Sequence, residues 1–278
     1  MTPFQPDDER LFETLSRAAD PPAARASLTA LLLRPDPRPS LAALEASGLL
    51  ARFLPEVAVL RGVSQLPDHE MDALDHSLTS CSAAPRTRLS RWTALLHDIG
   101  KATTVIRTPE GRTRFFGHES VGAELGAGLL ARLGFAPPFA SAADRLIRLH
   151  LRPLAYSPTW TDSAVLRLQA EAGALWPALL AQCRADLLGY SPEPVDRALD
   201  RLDELAARAL RLANPPPAPP GSPLDGNELQ ALLGLPPGPW LREVKAMLLR
   251  EVRSGRLPPG NKAGAAALAR LWWAQRRS

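Results

Sequence analysis

Apolar residues recur along this chain at the three- and four-residue spacing of helices. Residues 22–33 carry Leu28, Leu31 and Leu32 at that spacing, 40–49 place Leu41, Leu44 and Leu49 on one face, and 86–98 align Leu89, Trp92 and Leu96. Residues 7–19 open with Asp7, Asp8 and Glu9, acids suited to the positive end of a helix. Segments 118–134, 139–151, 161–188 and 192–213 are expected as further helices. Pro35, Pro37 and Pro39 interrupt the chain between two of them. Alternating β-branched runs are scarce. The best strand candidate is a ribbon at 103–116, where Thr103–Arg107 and Thr113–Phe116 flank Pro109-Glu110-Gly111, a plain loop being the alternative. The expected fold class is all-α.

Length and composition narrow this picture. The 278 residues suffice for one large domain or two small ones, and 45% hydrophobic residues supply a sizeable core. No apolar run reaches the length of a membrane span, and the N-terminus lacks the basic start and apolar core of a secretory signal. Two cysteines, Cys81 and Cys183, cannot build a disulfide framework, so a reducing cytoplasm is expected. Asn214–Pro223 is too proline-rich to be helical and favours extended geometry, which sets a small C-terminal helical piece apart from residues 1–213. The net charge is only +4, but residues 241–278 hold nine basic residues against two acidic ones, a local +7. Such a segment can attract phosphate backbones or simply be a solvated face.

The candidate chemistry gathers on histidine. His69, His76, His97, His118 and His150, all five histidines of the chain, fall within one 82-residue stretch. The sharpest element is His97-Asp98-Ile99-Gly100-Lys101. Imidazole and carboxylate at the end of an apolar helix can point into one cavity, and Gly100 lets the chain leave that helix sharply. Nitrogen and carboxylate oxygen together suit a divalent transition metal, with Mn, Fe, Co, Ni and Zn all compatible. Further ligands must come from elsewhere. His76, His118, His150 and Asp186 are the candidates, with Asp162, Asp196, Asp200 and Asp203 rivals to Asp186.

The order His76, His97-Asp98, Asp186 resembles the HD superfamily of metal-dependent phosphohydrolases, and the intervening His118 and His150 resemble its two-metal members. The resemblance implies an HD-domain helical bundle. It also implies one metal on His76, His97, Asp98 and Asp186 and a second on Asp98, His118 and His150. A bridging hydroxide would be the nucleophile, its pKa depressed by two cations that also neutralise charge on the phosphoryl oxygens. Lys101 stands where the family places a phosphate-contacting lysine.

A closer resemblance is to bacterial tRNA nucleotidyltransferases, the CCA-adding enzymes that carry an HD domain. It rests on Leu41–Leu50, Leu54-Pro55-Glu56, Gly62–His69, Asp72–His76, Arg91–Thr104, Gly117-His118-Glu119, and Leu224–Leu229 followed by Gly234–Pro239. This ordered set covers most of residues 30–265 and implies a neck-like segment at 1–60, an HD domain at 61–213, a linker at 214–223 and a basic C-terminal helical segment at 224–278. Ser77 departs from the threonine common there. The Gly-Ser loop and Asp-x-Asp pair of the family's nucleotidyltransferase head do not occur, so nucleotide addition is not expected.

Other residues have two readings each. His69 and Asp72 precede His76 by seven and four residues, either orienting ligands or serving as cap and core partner; His69 is placed on the substrate side. Arg152 can meet a phosphate bidentately or be a surface residue. Trp92, Trp160, Trp176 and Trp240 are expected in the core, whereas Trp272-Trp273 beside Arg276-Arg277 can stack on RNA bases or pack the tail. The expected function is hydrolysis of 2′,3′-cyclic or 2′-phosphates on nucleotides or RNA ends, with two divalent transition-metal ions and with Asp98 and Lys101 as catalytic residues. The competing expectation is a docking module of a split tRNA nucleotidyltransferase system, contacting RNA through 241–278 or a separate nucleotidyltransferase partner. A nucleotide-signalling or dNTP hydrolase is a third, against which the flanking motifs argue.

Overall fold

A computed structural model describes residues 6–64, 71–109, 113–188, 192–215 and 221–276. Among the described residues the regular structure is helical apart from one short antiparallel ribbon, so the fold class is all-α, a helical bundle followed by a small helical extension. The chain divides into two units, Met1–Ala213 and Asn214–Ser278. Of the proline-rich linker, 216–220 lie outside the described residues.

Side-chain caps set several helix starts in the first unit. Asp20 accepts from the Ala23 amide ahead of Pro21–Leu32, Asp72 from Asp75 ahead of Ala73–Ala83, and Thr87 from Ser90 ahead of Arg88–Leu96. Arg88–Leu96 runs through the core, with every residue from Ser90 to Leu96 buried. Its polar members are therefore paired inside the protein. Trp92 Nε1 donates to Thr29 Oγ1 at 3.1 Å, Thr93 Oγ1 to Gln182 Oε1 at 3.0 Å, and Arg91 reaches the Cys81 carbonyl.

One apolar cluster runs from Leu15 to Ile147 and also takes in Ala185, so Leu15 to Leu60 share a core with the helices that follow. A second cluster spans Leu146 to Ala209. The proposed ligands lie at helix ends where these clusters meet. The continuous helix expected at 161–188 is instead two, Asp162–Ala172 and Trp176–Leu187, joined by a 3-10 turn at Gly173–Leu175. Gly173 has φ 57°, a left-handed conformation that ends the first helix, and Pro177 occupies the first turn of the second. The ribbon pairs Val105–Arg107 with Thr113–Phe115 in the register Ile106↔Arg114.

The second unit packs Gly226–Leu233, Trp240–Arg253 and Lys262–Ala274 around Leu229, Val244, Leu248, Ala265 and Ala269. Asp225 and Glu228 form a reciprocal capping box, and Glu228 also accepts from Lys262 Nζ. Trp272 is half-buried against this core, with the Arg276 guanidinium 4.1 Å from its ring centroid, so it packs the tail. Among the described residues no helix is long and apolar enough to cross a membrane.

Candidate metal centre

Six polar side chains from five parts of the first unit converge in its interior. His76 lies in the first turn of Ala73–Ala83. His97 caps the C-terminus of Arg88–Leu96, and Asp98 follows it. His118 is the first residue of His118–Arg132, entered through Gly117 at φ 74°. His150 joins Pro137–Leu149 to Leu151–Leu154, and Asp186 lies near the end of Trp176–Leu187. All six are buried, His118 being the most open at 6% exposure.

Gly100 acts differently from the sequence expectation. Its φ of −67° and ψ of −18° are ordinary helical values. What requires glycine is proximity: a Cβ there would sit 2.2 Å from the His118 carbonyl oxygen and 2.7 Å from the Gly122 amide nitrogen. The missing side chain lets the His118 helix press against the His97-Asp98 turn.

The spacing of donor atoms fits metal coordination. His76 Nε2 lies 2.9 Å from Asp186 Oδ1, 3.3 Å from His97 Nε2 and 3.5 Å from Asp98 Oδ2. His97 Nε2 lies 3.2 Å from Asp98 Oδ2 and 3.4 Å from Asp186 Oδ1. Bonds of about 2.1 Å put neighbouring ligand atoms about 3.0 Å apart in an octahedron and about 3.4 Å apart in a tetrahedron. The other oxygen of Asp98, Oδ1, faces away from this group, 3.3 Å from His118 Nε2 and 3.8 Å from His150 Nε2. Asp98 thus presents one oxygen to each of two sets of donors.

The histidines are oriented for this role. Nδ1 of His97, His118 and His150 lies 2.8, 2.8 and 2.6 Å from the carbonyl oxygens of Ala94, Phe115 and Ile147, each three residues earlier. Each Nδ1–H donates to backbone, so Nε2 is the ring nitrogen turned to the centre. Nε2 of His118 is buried and makes no hydrogen bond among the described residues, a costly arrangement for a nitrogen without a ligand to bind.

The electrostatics are strongly coupled. Burial pulls the His97 imidazole down, but Asp98 and Asp186 outweigh it and carry its pKa up to about 10. Burial raises both carboxyls and their partners reverse this: the charges of His97 and then Lys101 hold Asp98 well below its ordinary range, and the charge of His97 with a hydrogen bond from His76 does so for Asp186. Burial and the charge of His97 push His150 down to about 4. The His97 imidazolium and the Lys101 ammonium thus face two buried carboxylates. A divalent cation would replace those positive charges, with His97 releasing its proton.

The two halves of the centre differ in access. A cavity of about 340 Å³ reaches Asp98, Lys101, His118, His150 and Asp186, whereas the buried His76 and His97 do not line it. Lys101 Nζ sits 2.6 Å from Asp98 Oδ2 and 5.5 Å from the Phe115 ring centroid. The outer wall is formed by Arg114, Phe115, Phe116 and Leu151. Arg114 and Phe116 escaped the sequence reading. Their signal was the ribbon itself, whose return strand leads directly into Gly117-His118.

Other expected site residues lie elsewhere. Arg152 pairs with Glu171 and lines a separate cavity with Trp160 and Arg167, so it is not brought to the donors. Asp72 is the helix cap, taking the Gly62 amide on Oδ2 at 2.7 Å and Arg61 Nη1 at 3.0 Å. Asp162 and Asp203, rivals of Asp186, pair with Arg208 and Arg184. His69 lies outside the described residues.

Residues 73–208 match the model of the HD domain. The chain is 34% identical over 256 residues to the A-adding tRNA nucleotidyltransferase of Deinococcus radiodurans, covering 89% of this chain and 57% of that protein. It is 35% identical over 254 residues to the CC-adding tRNA nucleotidyltransferase of Thermus thermophilus, covering 88% and 55%. A third relative, the multifunctional CCA protein of Halorhodospira halophila, is 43% identical over 98 residues, or 34% of this chain and 23% of that protein. The chain spans little more than half the length of the first two relatives.

Proposed function

This chain carries an HD domain of the metal-dependent hydrolase superfamily, and on that premise we propose that it hydrolyses 2′,3′-cyclic phosphates or 2′-phosphates of nucleotides or RNA ends. The observation behind this reading is the division of Asp98, with Oδ2 toward His76 and His97 and Oδ1 toward His118 and His150. Such a carboxylate is suited to hold two divalent cations side by side, His76, His97 and Asp186 completing one set and His118 and His150 the other. Two cations there would lower the pKa of water and offset the charge that builds on a phosphoryl group.

The protein's own residues supply orientation and charge. The three Nδ1 hydrogen bonds fix the orientation of the imidazole rings before any ligand arrives. Lys101, buried at 5% exposure yet lining the cavity, is placed to donate hydrogen bonds both to Asp98 and to a phosphoryl oxygen. Burial keeps bulk water from His76 and His97, which strengthens electrostatic interactions at the site.

The test is product release from adenosine 2′,3′-cyclic phosphate with Mn²⁺, Ni²⁺ or Co²⁺. Hydrolysis is expected with at least one metal and is abolished in Asp98→Ala; no product with any metal overturns the reading.

A second reading, binding of RNA, is favoured by the C-terminal helices. Arg256, Lys262 and Arg276 are neutralised by Glu251, Glu228 and Glu243, but Arg242, Arg250, Arg253 and Arg270 are exposed and pair with no carboxylate among the described residues. Replacing Arg250 and Arg253 by glutamate should weaken tRNA binding and flatten its salt dependence. An unchanged salt slope removes this reading.

A further inference from the structure

The lip of the metal-centre cavity carries features that phosphate chemistry alone leaves unused. Phe116 lines the cavity yet is 72% exposed. Its ring makes no ring contact among the described residues, unlike neighbouring Phe115, which is engaged by His118 and Lys101. Leu151 adds a further apolar surface at 38% exposure. Arg114 reaches the same opening and pairs with no carboxylate among the described residues, whereas Lys101 is already bound to Asp98.

A bare phosphate needs only the donors at the bottom of the cavity. An uncovered aromatic face beside a guanidinium that pairs with no described carboxylate suits a ligand with a flat, weakly polar ring and a second negative charge. Building on the hydrolase reading, we propose that Phe116 stacks on the nucleobase and that Arg114 meets a second phosphate, the 5′-phosphate of the terminal nucleotide. The substrate class is then the phosphorylated end of a nucleotide chain, in preference to a free nucleoside cyclic phosphate or a base-free phosphate ester.

The anchoring of the ribbon makes the assignment sterically sensible. Thr113–Phe115 pairs with Val105–Arg107, and Gly117 turns the chain from Phe116 directly into the His118 helix. The ring platform is thus two residues from a proposed ligand and attached to it through a short, defined turn.

Binding of three probes tests this on the full chain with Mn²⁺, read by stopped-flow competition against a fluorescent nucleotide so that binding precedes turnover. The probes are adenosine 2′-monophosphate, the base-free methyl riboside 2′-phosphate, and adenosine 2′,5′-bisphosphate. Wild type should prefer the adenosine monophosphate over the base-free probe by roughly 5- to 100-fold. Phe116→Ala should erase that preference and Phe116→Trp retain it. Arg114→Gln should remove an advantage of about tenfold for the bisphosphate over the monophosphate. Equal wild-type affinity for all three, weakening of every probe alike by Phe116→Ala, or failure to bind any probe overturns the proposal. If the preferences appear but no cyclic phosphate is hydrolysed, the hydrolase reading fails and the base-and-phosphate site stands.

Discussion

The two halves of the candidate metal centre use similar donors but differ in their surroundings. His76, His97, Asp186 and Asp98 Oδ2 lie together at spacings of 2.9–3.5 Å, and only the two aspartates of this set reach the cavity. His118, His150 and Asp98 Oδ1 are more widely spaced, at 3.3 and 3.8 Å from the shared carboxylate, and border the cavity. Dense, shielded donors favour retention of an ion, whereas open donors leave room for exchange and substrate. The comparison teaches that donor type alone does not set the role of a site; access and the shared carboxylate divide the labour.

Removing the shared group should have the largest effect. Asp98→Ala is expected to lose both metals and to lower hydrolysis by at least about a thousandfold, measured by metal content and turnover on the same folded sample. Retention of two metals would break the assignment of Asp98 as the bridge.

Gly100→Ala sharpens the comparison by moving one half against the other. The new methyl would meet backbone at His118 and Gly122, at 2.2 and 2.7 Å, and these groups cannot rotate away. A stability loss of about 2–3 kcal/mol is expected from overpacking, with His118-side metal affinity falling more than that of the buried set. Equal loss from both halves in metal titrations would contradict the asymmetry.

His118→Ala and His76→Ala should separate the halves directly. The first is expected to leave one tightly held metal and the second to disturb the retained one, read as metal per chain after dialysis. Identical residual stoichiometry and release rates in the two variants would remove the distinction.

Proton binding gives a subtler measure. His97, at about 10 in the fold against 6.5 in the unfolded chain, lends stability that is complete below pH 6.5 and disappears as pH rises through 10. His150, at about 4 against 6.5, contributes with the opposite sign: its neutral form is favoured in the fold, so stability falls as pH drops from 6.5 to 4. The site alone thus gives the metal-free protein an optimum near pH 6.5. Denaturation midpoints across pH 4–10 test this, and metal affinity should rise through the alkaline limb as His97 gives up its proton. A midpoint that does not decline on either side excludes this charge arrangement.

The smallest effect belongs to the C-terminal unit. Asp225→Ala removes one side of its capping box and should cost about 1 kcal/mol while leaving metal content unchanged. A matched loss of metal would show coupling that the two separate cores give no reason to expect.

Much of the site was legible before any coordinates. Helical periodicity located most of the helices, and the order of His76, His97-Asp98, His118, His150 and Asp186 pointed to metal chemistry because imidazole and carboxylate are its usual donors. Local chemistry was less informative for Arg152, since its neighbour His150 projects inward whereas Arg152 pairs with Glu171 on another surface. The long segment 161–188 read as one helix because Gly173 is compatible with a helical pattern; only its φ of 57° reveals the break.

What the sequence determined by itself was the all-α class, the kind of donor and the order in which donors occur, because these depend on residue type and on spacing within one helix. Tertiary structure decided which oxygen of Asp98 faces which histidines, why Gly100 must be glycine, and that Arg114 and Phe116 share a cavity with Asp98. Those properties depend on approaches between segments distant along the chain, and their directions are set by packing rather than by the local pattern.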